Sequence, residues 1–334
     1  MKVSIVGDGA MPGLCAVLLS ENGCQVRLWS AFPAVADELT RTRRSKWFFP
    51  GLKLPETVEV TGSATKALAD ADLAIAAVPA QYSRSWWRQL KDHCPPTLPI
   101  CSVSKGIENG TLLRPTQIVL DVLDGSVDSR RPVAALSGPC IAPEVAQKLP
   151  ATVTVASNDE DLARRVQEAF NRPYFRVYTN TDVPGTELAG ATKNVIAIAA
   201  GILDGLEAGC NAKAALLTRG LVEITRLGVA LGARVETFAG LAGFGDLVTT
   251  CISPLGRNRS FGEAIGRGRS VDEALAAAAS VVEGVATTKS VVELARRTNV
   301  EMPITQAVRK VLFAGTSPAD AIAELMSRPL KAER

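Results

Sequence analysis

The sequence predicts an α/β protein in which an N-terminal doubly wound sheet is followed by an all-helical C-terminal domain. Its 334 residues are enough for two domains. Short β-rich runs alternate with helical segments up to about residue 180, whereas from Thr186 onward the chain is rich in Ala, Leu and Gly at helical spacing. We therefore place the two domains at residues 1–182 and 183–334.

Six short runs in the first half are predicted strands. Most are apolar throughout rather than alternating, which is typical of a parallel sheet covered on both faces. Helical segments separate them, and this alternation predicts the doubly wound arrangement. The predicted strands are Val3–Val6, Gln25–Trp29, Leu73–Val78, Ile100–Val103, Val133–Leu136 and Thr152–Ala156. The predicted helices between them include Leu14–Glu21, Ala34–Arg43 and Ser83–Asp92.

The second half contains few strand signals. Leucine and isoleucine recur at helical intervals between Leu217 and Leu231, which predicts a helix with one apolar face. Asn211 is placed to cap the start of this helix, and Gly232 is placed to end it.

Composition excludes several classes of protein. The net charge is +3 with both signs mixed along the chain, which argues against a nucleic-acid partner. No run reaches the roughly 18 apolar residues that a membrane helix needs. His93 is the single histidine and the seven cysteines contain no C-x-x-C pair, so the sequence predicts neither a metal site nor a disulfide framework. We expect a reduced, cytoplasmic protein.

The first predicted strand runs into a glycine turn. Gly7 and Gly9 follow the strand directly, and Pro12 with Gly13 stands where a third glycine is usual. Such a turn lets backbone approach a pyrophosphate and points a helix N-terminus at it, which predicts a Rossmann-like dinucleotide site. Proline offers no N–H to a phosphate, so the match to the pattern is imperfect.

The end of the second strand carries information about the cofactor. NAD enzymes of this fold usually place an acid there to hold the ribose hydroxyls, yet none stands at residues 28–31. The nearby cations Arg27, Arg41, Arg43 and Arg44 favour tolerance of a 2′-phosphate, as in NADP. The alternative is that these arginines form an ordinary solvated face.

Lys193 lies inside an apolar, small-residue helix. Lysine is almost never buried without a partner, and desolvation or a second cation would lower its pKa and suit it to acid–base chemistry. The alternative is a lysine that reaches solvent from the edge of the helix.

Three further segments carry candidate groups. Asp246 follows a glycine-rich bend and is either a functional carboxylate or a simple helix N-cap. Arg257 and Asn258 enter another helix, where they suit a phosphate unless they belong to an ordinary exposed loop. Residues 104–106 and 137–140 follow two predicted strands and so face the cofactor edge of the sheet.

Taken together, these segments resemble the NAD(P)-dependent glycerol-3-phosphate dehydrogenases of the bacterial cytosolic type. The match runs in order along nearly the whole chain. Its motifs are FFPGLKLP at 48–55, SKGIE at 104–108, LSGPCIAPEVA at 136–146, ATKNVIAIAAGILDGL at 191–206, NAKAALLTRG at 211–220, GLAGFGDLVTTC at 240–251, GRNRSFG at 256–262, VVEGVATT at 281–288 and EMPI at 301–304.

The resemblance implies reversible reduction of dihydroxyacetone phosphate by NAD(P)H to sn-glycerol 3-phosphate, the precursor of glycerophospholipids. NADH and NADPH stay open as cofactor. It implies Lys193 as general acid/base, assisted by Lys105, Asp246 and Thr250. The implied substrate contacts are Lys105, Gly138, Cys140, Lys193, Asp246, Gly256, Arg257 and Asn258. The implied cofactor contacts are Gly7, Gly9, Ala10, Met11, Pro12, Lys105, Ala142, Arg257, Val281 and Glu283.

The chain departs from the family pattern mainly where the cofactor binds. The departures are Ala10, Met11 and Pro12 in the turn, Ala31 in place of an arginine, and Cys140 and Gly256 in place of hydroxyl residues. Two alternatives follow: a nucleotide- or sugar-phosphate-binding paralogue with weak or no turnover, or a dehydrogenase of another small hydroxy acid. A homodimer is the default expectation, because two-fold dimers are the commonest soluble oligomers.

Overall fold

A computed structural model describes residues 1–45, 51–278, 280–330 and 332–333. Residues 48–50 of the FFPGLKLP motif lie outside this part of the chain. The strands are β1 Lys2–Val6, β2 Gln25–Trp29, β3 Glu59–Thr61, β4 Leu73–Ala76, β5 Ile100–Ser102, β6 Val133–Ser137, β7 Ala151–Ser157 and β8 Phe175–Asn180. The helices among them are α1 Ala10–Glu21, α2 Pro33–Thr42, α3 Ala64–Ala67, α4 Ala80–Leu90, α5 Pro115–Asp124, α6 Ala142–Ala146 and α7 Glu160–Phe170, with a 3₁₀ turn at Lys91–His93.

After β8 the described residues are helical. The helices are α8 Val183–Gly205, α9 Gly209–Ala230, α10 Val235–Ala239, α11 Asp246–Ile252, α12 Arg257–Gly266, α13 Val271–Ala276, α14 Glu283–Thr298, α15 Pro303–Phe313 and α16 Pro318–Met326. A π-helical turn at Leu241–Gly245 leads directly into α11. The prediction of a sheet followed by helices is confirmed.

The eight strands form one sheet in the order β3-β2-β1-β4-β5-β6-β7-β8. β1 to β6 are mutually parallel, and the order reverses direction between β1 and β4, which is where open α/β sheets bind ligands. Apolar side chains cover both faces of the sheet. Ile5 and Leu28 pack on one face, and Trp29 and Trp87 pack on the other.

β7 departs from the parallel arrangement that most of the apolar runs predict, because it pairs antiparallel with β6 and parallel with β8. A parallel partner requires a crossover that carries the chain back along the strand. The helix between β6 and β7 is α6, which has five residues and spans only about 8 Å at 1.5 Å per residue. An apolar run predicts a buried strand but carries no information about its direction.

Two strands were not predicted from the sequence. β3 has three residues at the edge of the sheet, and β8 alternates buried and exposed residues from Phe175. Polar residues on an exposed edge give a weaker signal than the apolar runs of the central strands.

The predicted helix over Leu217–Leu231 is α9, and its apolar face packs into the C-terminal core. Gly232 follows its end with φ +87°, as predicted. The prediction that Asn211 caps its start is wrong, because the helix begins at Gly209 and Asn211 lies inside its first turn. The short link between α8 and α9 turns sharply through positive φ angles at Glu207 and Gly209. α9 therefore begins two residues before the predicted cap, Asn211.

α8 is the central helix of the second half and is buried over most of its 23 residues. Asp182 caps its start by accepting a hydrogen bond from the Gly185 N–H at 2.9 Å. α12 crosses it at backbone contact: a Cβ at Gly201 would stand 1.9 Å from the Arg259 carbonyl oxygen, and one at Gly262 would stand 2.1 Å from that of Ile198. These glycines allow the start of α12 to lie beside Lys193 and Asn194.

Candidate active site

The candidate active site lies where the carboxyl ends of β5 and β6 meet α8 and α11. Lys105 follows β5 and Gly138 follows β6, so both are at the same edge of the sheet. Lys193 comes from the middle of α8, and Asp246 is the first residue of α11. The structure thus brings together four candidate residues that are widely separated in the sequence.

Asp246 is the centre of this cluster. Its side chain is 2% exposed, and its two oxygens each take one lysine. Lys105 Nζ lies 2.6 Å from Asp246 Oδ2, and Lys193 Nζ donates to Asp246 Oδ1. Lys105 also donates to the Gly138 carbonyl oxygen at 3.2 Å. The buried Lys193 and the half-buried Lys105 therefore share a single buried carboxylate.

Sharing one carboxylate moves the two lysine pKa values in opposite directions. Burial, together with the nearby Lys105 charge, lowers the pKa of Lys193 to about 8 in spite of Asp246. Burial also acts to lower the pKa of Lys105, but the Asp246 carboxylate outweighs it and the pKa is raised. Burial alone would raise the pKa of Asp246, but the two lysines hold it below its usual value. The structure therefore contradicts the alternative that Lys193 is a solvated lysine at the helix edge.

Hydroxyl groups complete the surroundings of Lys193. Lys193 Nζ donates to Thr250 Oγ1, and this hydroxyl lies 3.3 Å from Asp246 Oδ1. Ser137 Oγ lies 3.5 Å from the other oxygen of Asp246, a contact that the sequence did not single out. Lys193, buried and held on two sides, has one fixed direction in which to offer its proton.

The alternative reading of Asp246 as an N-cap is wrong. The residue before it, Gly245, has helical angles of φ −58° and ψ −50° because the π-helical turn continues into α11. An N-cap needs a non-helical backbone in front of a helix with free N–H groups. Since the helix is continuous here, the carboxylate turns to the lysines instead. Single π-helical turns are frequent at functional sites.

Two glycines allow close packing around the site, Gly138 against β7 and Gly190 against Ser137 and Lys105. Gly138 has φ +143°, and a Cβ there would lie 2.8 Å from Val153 Cα. A Cβ at Gly190 would lie 2.8 Å from Ser137 Oγ and 3.5 Å from Lys105 Cγ. Cys140 stands in place of the usual hydroxyl residue. Burial raises the pKa of its thiol, although the nearby Lys105 charge opposes the rise.

Arg257 and Asn258 begin α12 at the mouth of the site. Arg257 is exposed and donates to Ser280 Oγ at 3.2 Å and to the Val281 carbonyl oxygen at 3.4 Å. Asn258 is buried, accepts from the Gly284 N–H at 2.9 Å and donates to Asn194 Oδ1 at 3.0 Å. The structure therefore gives Asn258 a positioning duty that its sequence motif did not reveal.

Asn194 is a site residue that sequence reasoning missed. Its amide oxygen accepts from Asn258, and its amide nitrogen lies 3.4 Å from the Lys105 carbonyl oxygen. It joins α8, α12 and the segment after β5. A polar amide next to a buried lysine in an otherwise apolar helix was the available signal, because buried amides need partners.

Gly256 is the N-cap of α12. A Cβ at this position would lie 2.9 Å from the Thr250 carbonyl oxygen. The serine that is usual in the family would need the backbone here to shift, so glycine matches this chain's own geometry.

The glycine turn fits a dinucleotide. α1 begins at Ala10 with Gly9 as N-cap, and glycine has no side chain to occupy the first N–H groups of the helix. A Cβ at Gly9 would approach no atom nearer than 4.0 Å, so a phosphate can come close to the backbone. The first turn carries no acidic residue. These features suit the pyrophosphate of NAD(P)H.

Pro12 is accommodated without blocking this turn. It is buried, and its Cγ would lie 2.7 Å from a Cβ at Gly7, so it packs beneath the first glycine. As the third residue of α1 it lacks only an N–H that has no partner within the helix. The N–H groups of Ala10 and Met11 remain as donors at the helix start.

The remaining predicted cofactor residues lie around the same edge. Met11 packs against the core of the sheet, and Ala142 begins α6 after β6. Val281 is 39% exposed beside Arg257. Glu283 begins α14 with its pKa raised by burial, and a Cβ at Gly106 would lie 3.9 Å from its Oε1.

Two of the four arginines near β2 form ion pairs with glutamates of the protein itself. Arg27 pairs with Glu59 at 2.8 Å and donates to the carbonyl oxygens of Lys66 and Ala69. Arg43 lies 3.3 Å from Glu56 and donates to the Val58 carbonyl oxygen. Arg41 and Arg44 are exposed. For Arg27 and Arg43, the structure favours the reading of structural arginines over that of 2′-phosphate ligands.

The described part of the chain lacks two other kinds of feature, a cluster of metal ligands and a membrane-spanning helix. Among the described residues, no three His, Cys, Asp or Glu side chains come together as a metal ion would require. None of the helices in the described part of the chain is both long and apolar enough to cross a bilayer.

Comparison with known proteins gives a consistent result. A family profile described as "NAD-dependent glycerol-3-phosphate dehydrogenase N-terminus" matches residues 2–163, and one described as the C-terminus of the same family matches residues 182–323. A Streptomyces coelicolor protein named glycerol-3-phosphate dehydrogenase [NAD(P)+] is 45% identical over 334 residues, covering 100% of this chain and 98% of that protein. A Geobacter protein of the same name is 47% identical over 332 residues, covering 99% and 98%.

Solved structures agree. The crystal structure of glycerol-3-phosphate dehydrogenase from Coxiella burnetii superposes with a TM-score of 0.92 at 36% identity, covering 98% of this chain and 99% of that chain. The yeast glycerol-3-phosphate dehydrogenase superposes with a TM-score of 0.81 at 26% identity, covering 98% and 99%.

Proposed function

This chain belongs to the NAD-dependent glycerol-3-phosphate dehydrogenase family, and from that premise we propose that it interconverts dihydroxyacetone phosphate and sn-glycerol 3-phosphate with Lys193 as proton donor and acceptor. One observation carries the assignment of roles: Lys193 and Lys105 share the buried carboxylate of Asp246 beside the glycine turn. A site that only bound a phosphorylated ligand would not need a lysine with its pKa lowered to about 8.

The bound nicotinamide dinucleotide supplies or accepts the hydride. In reduction, negative charge develops on the carbonyl oxygen at C2 of the substrate, and Lys193 Nζ gives its proton to that oxygen. Asp246 and Thr250 hold the Nζ in place for this transfer. Lys105 stays protonated and stabilises the charge of Asp246 while Lys193 becomes neutral. In oxidation, neutral Lys193 takes the hydroxyl proton.

We assign the substrate phosphate to the start of α12. Arg257 reaches the mouth of the site and can offer two N–H groups in one plane to a phosphate. Asn258 offers the second N–H of its amide group after using one for Asn194. Gly138 and Cys140 form the wall beside Lys105, and Ala142, Val281 and Glu283 lie at the cofactor side.

The decisive test follows NADH and NADPH oxidation at 340 nm with dihydroxyacetone phosphate as substrate. Rapid turnover with either nucleotide supports the proposal. If a ketoacid is reduced far better than dihydroxyacetone phosphate, the protein is a dehydrogenase of another hydroxy acid instead. Nucleotide binding without turnover from folded protein would favour the paralogue that only binds ligands.

Four further expectations are proposals of the same kind. Residues 1–182 form the dinucleotide-binding domain and 183–334 the helical domain that supplies Lys193 and Asp246. The protein works as a homodimer in the cytoplasm, with a role in glycerophospholipid synthesis. Light scattering at several protein concentrations tests the dimer, and a constant monomer mass would contradict it.

A further inference from the structure

A carboxylate from the glycine turn, that of Asp8, lies at the end of β2, where the adenosine ribose of a dinucleotide binds in this fold. No acid stands at residues 28–31, where enzymes of this fold usually carry one. The structure brings a carboxylate to the end of β2 from the glycine turn instead. Asp8 Oδ2 lies 2.5 Å from Ser30 Oγ, the hydroxyl that directly follows β2. The adjacent Gly7 N–H donates to the Trp29 carbonyl oxygen at 3.0 Å, which keeps the turn against the strand.

The Asp8 carboxylate is held in a defined position. Ser30 is fully buried, and its hydroxyl oxygen accepts from the Phe32 N–H at 3.1 Å. Of the two oxygens near the hydroxyl, the carboxylate is closer than the Phe32 carbonyl at 3.2 Å, so the proton points to Asp8. Partial burial raises the pKa of Asp8, while the Ser30 hydroxyl and its own backbone N–H oppose the rise because they bind the charged form.

The surroundings suit a ribose with two free hydroxyls better than one carrying a phosphate. The family arginine after β2 is Ala31 in this chain. Arg27 and Arg43 are engaged by Glu59 and Glu56. Beyond Ala31, Phe32 is 57% exposed and meets the edge of Trp86 at 5.7 Å between ring centroids. A 2′-phosphate here would face a carboxylate and an apolar ring rather than a guanidinium.

We propose that Asp8 is the ribose-binding residue of this enzyme, that Ser30 positions it, and that the pair selects NADH over NADPH. A carboxylate accepts hydrogen bonds from the 2′- and 3′-hydroxyls of NADH and repels the 2′-phosphate of NADPH. The inference rests on the proposed function only in requiring that a nicotinamide dinucleotide binds at the glycine turn.

The test is an equilibrium titration of NADH and NADPH without substrate, at pH 8 and constant salt, followed by nucleotide fluorescence. We expect the unchanged protein to bind NADH at least about tenfold more tightly than NADPH, the effect of one charge-assisted contact. Asp8→Asn should reduce that preference by at least about tenfold, weakening NADH and strengthening NADPH. Ser30→Ala should reduce it by a smaller factor because the carboxylate stays but is less well fixed. Asp92→Asn, the same change at an exposed site on the 3₁₀ turn after α4, should leave both affinities unchanged.

Each contrary outcome has a distinct meaning. Equal affinity for both nucleotides in the unchanged protein overturns the inference, as does an Asp8→Asn variant whose preference stays within about twofold. Tight NADPH binding that is lost in the double variant Arg41→Ala, Arg44→Ala would assign the selection to these two arginines at the end of α2 instead. Failure of folded protein to bind either nucleotide would count against the proposed function itself.

Discussion

The lysine–carboxylate cluster and the cofactor edge lie side by side but are built in different ways. The cluster consists of charged side chains from different elements that balance one another, and all of its family residues are retained: Lys105, Lys193 and Asp246 together with Arg257 and Asn258. The edge consists largely of backbone groups, and it departs from the family at Ala10, Met11, Pro12 and Ala31. A site made of interdependent charges tolerates little change. A site made of backbone N–H groups keeps its donors when side chains are replaced, except where the new residue is proline, as at Pro12.

Removal of the proposed proton donor should have the largest effect on turnover and should leave nucleotide binding nearly unchanged. Lys193→Ala should lower kcat by roughly 10³-fold, because positioned acid–base groups contribute about 10²–10⁴-fold and the Asp246 charge also loses a partner. Affinity for NADH should stay within about threefold, since the backbone of the edge is untouched. Steady-state rates and nucleotide titration measure the two effects.

Lys289→Ala is the matched control, because this exposed lysine on α14 lies over the Phe313 ring, outside the cluster. It should leave kcat unchanged. Turnover of Lys193→Ala within tenfold of the unchanged protein would contradict the proton-donor role.

Removal of the shared carboxylate should damage both catalysis and stability. In Asp246→Asn the ammonium groups of Lys193 and Lys105 face each other without a counter-charge, and we expect kcat to fall about 10²-fold or more. The free energy of unfolding should fall by about 3 kcal/mol at pH 7, the usual cost of breaking a buried ion pair. Denaturant melts of both proteins measure the difference.

The pH dependence of that difference gives a check on its cause. Without Asp246 both lysines have lowered pKa values in the folded state, so the variant should regain stability as rising pH removes their protons. A stability gap that is constant between pH 7 and pH 10 would show that the loss comes from packing rather than charge.

The pH profiles of the two reaction directions should be opposite. Reduction needs protonated Lys193, so kcat should fall about tenfold per pH unit above about 8; oxidation needs the neutral amine, so kcat should fall below about 8. Lys105→Met removes a charge that lowers the Lys193 pKa and should move both break points to higher pH. Break points that do not move would contradict the coupling of the two lysines.

The smallest expected effect is that of Pro12 at the cofactor edge on nucleotide affinity. Pro12→Gly restores the usual third glycine and adds one N–H at the start of α1, so both nucleotides should bind about threefold more tightly. The free energy of unfolding should fall by about 1 kcal/mol, since proline restricts the unfolded chain. Pro318→Gly at the start of α16 should lower stability similarly with no effect on binding. Equal gains in both variants would mean that the Pro12 N–H is not the cause.

The sequence predicted the sheet well where burial decides the structure. The apolar runs placed six strands to within two residues at each end, because buried strands must be apolar. The antiparallel direction of β7 could not be predicted from such a run. β3 and β8 were missed because they lie at the edges, where polar residues are tolerated.

Within the site, the residues that carry charge were the most predictable. Lys193 was recognisable because a lysine in an apolar helix requires a partner, and that partner is Asp246. The role of Asn194 in holding Asn258 depends on the crossing of α8 and α12, which no local sequence pattern predicts. Asp8 was not predicted, because the usual position of the ribose acid in the sequence is at the end of β2, whereas the fold brings the Asp8 carboxylate there from the glycine turn.

The backbone contact between α8 and α12 also fixes the spacing of these two helices. The Gly201 and Gly262 contacts leave no side chain between the two helices that could repack to let them slide. The position of the start of α12 relative to the backbone of α8, which carries Lys193, is therefore set by main-chain contact. We expect the enzyme to select substrates by length: a phosphorylated ketone with one extra carbon between carbonyl and phosphate should be a poor substrate, although its carbonyl and its phosphate are unchanged.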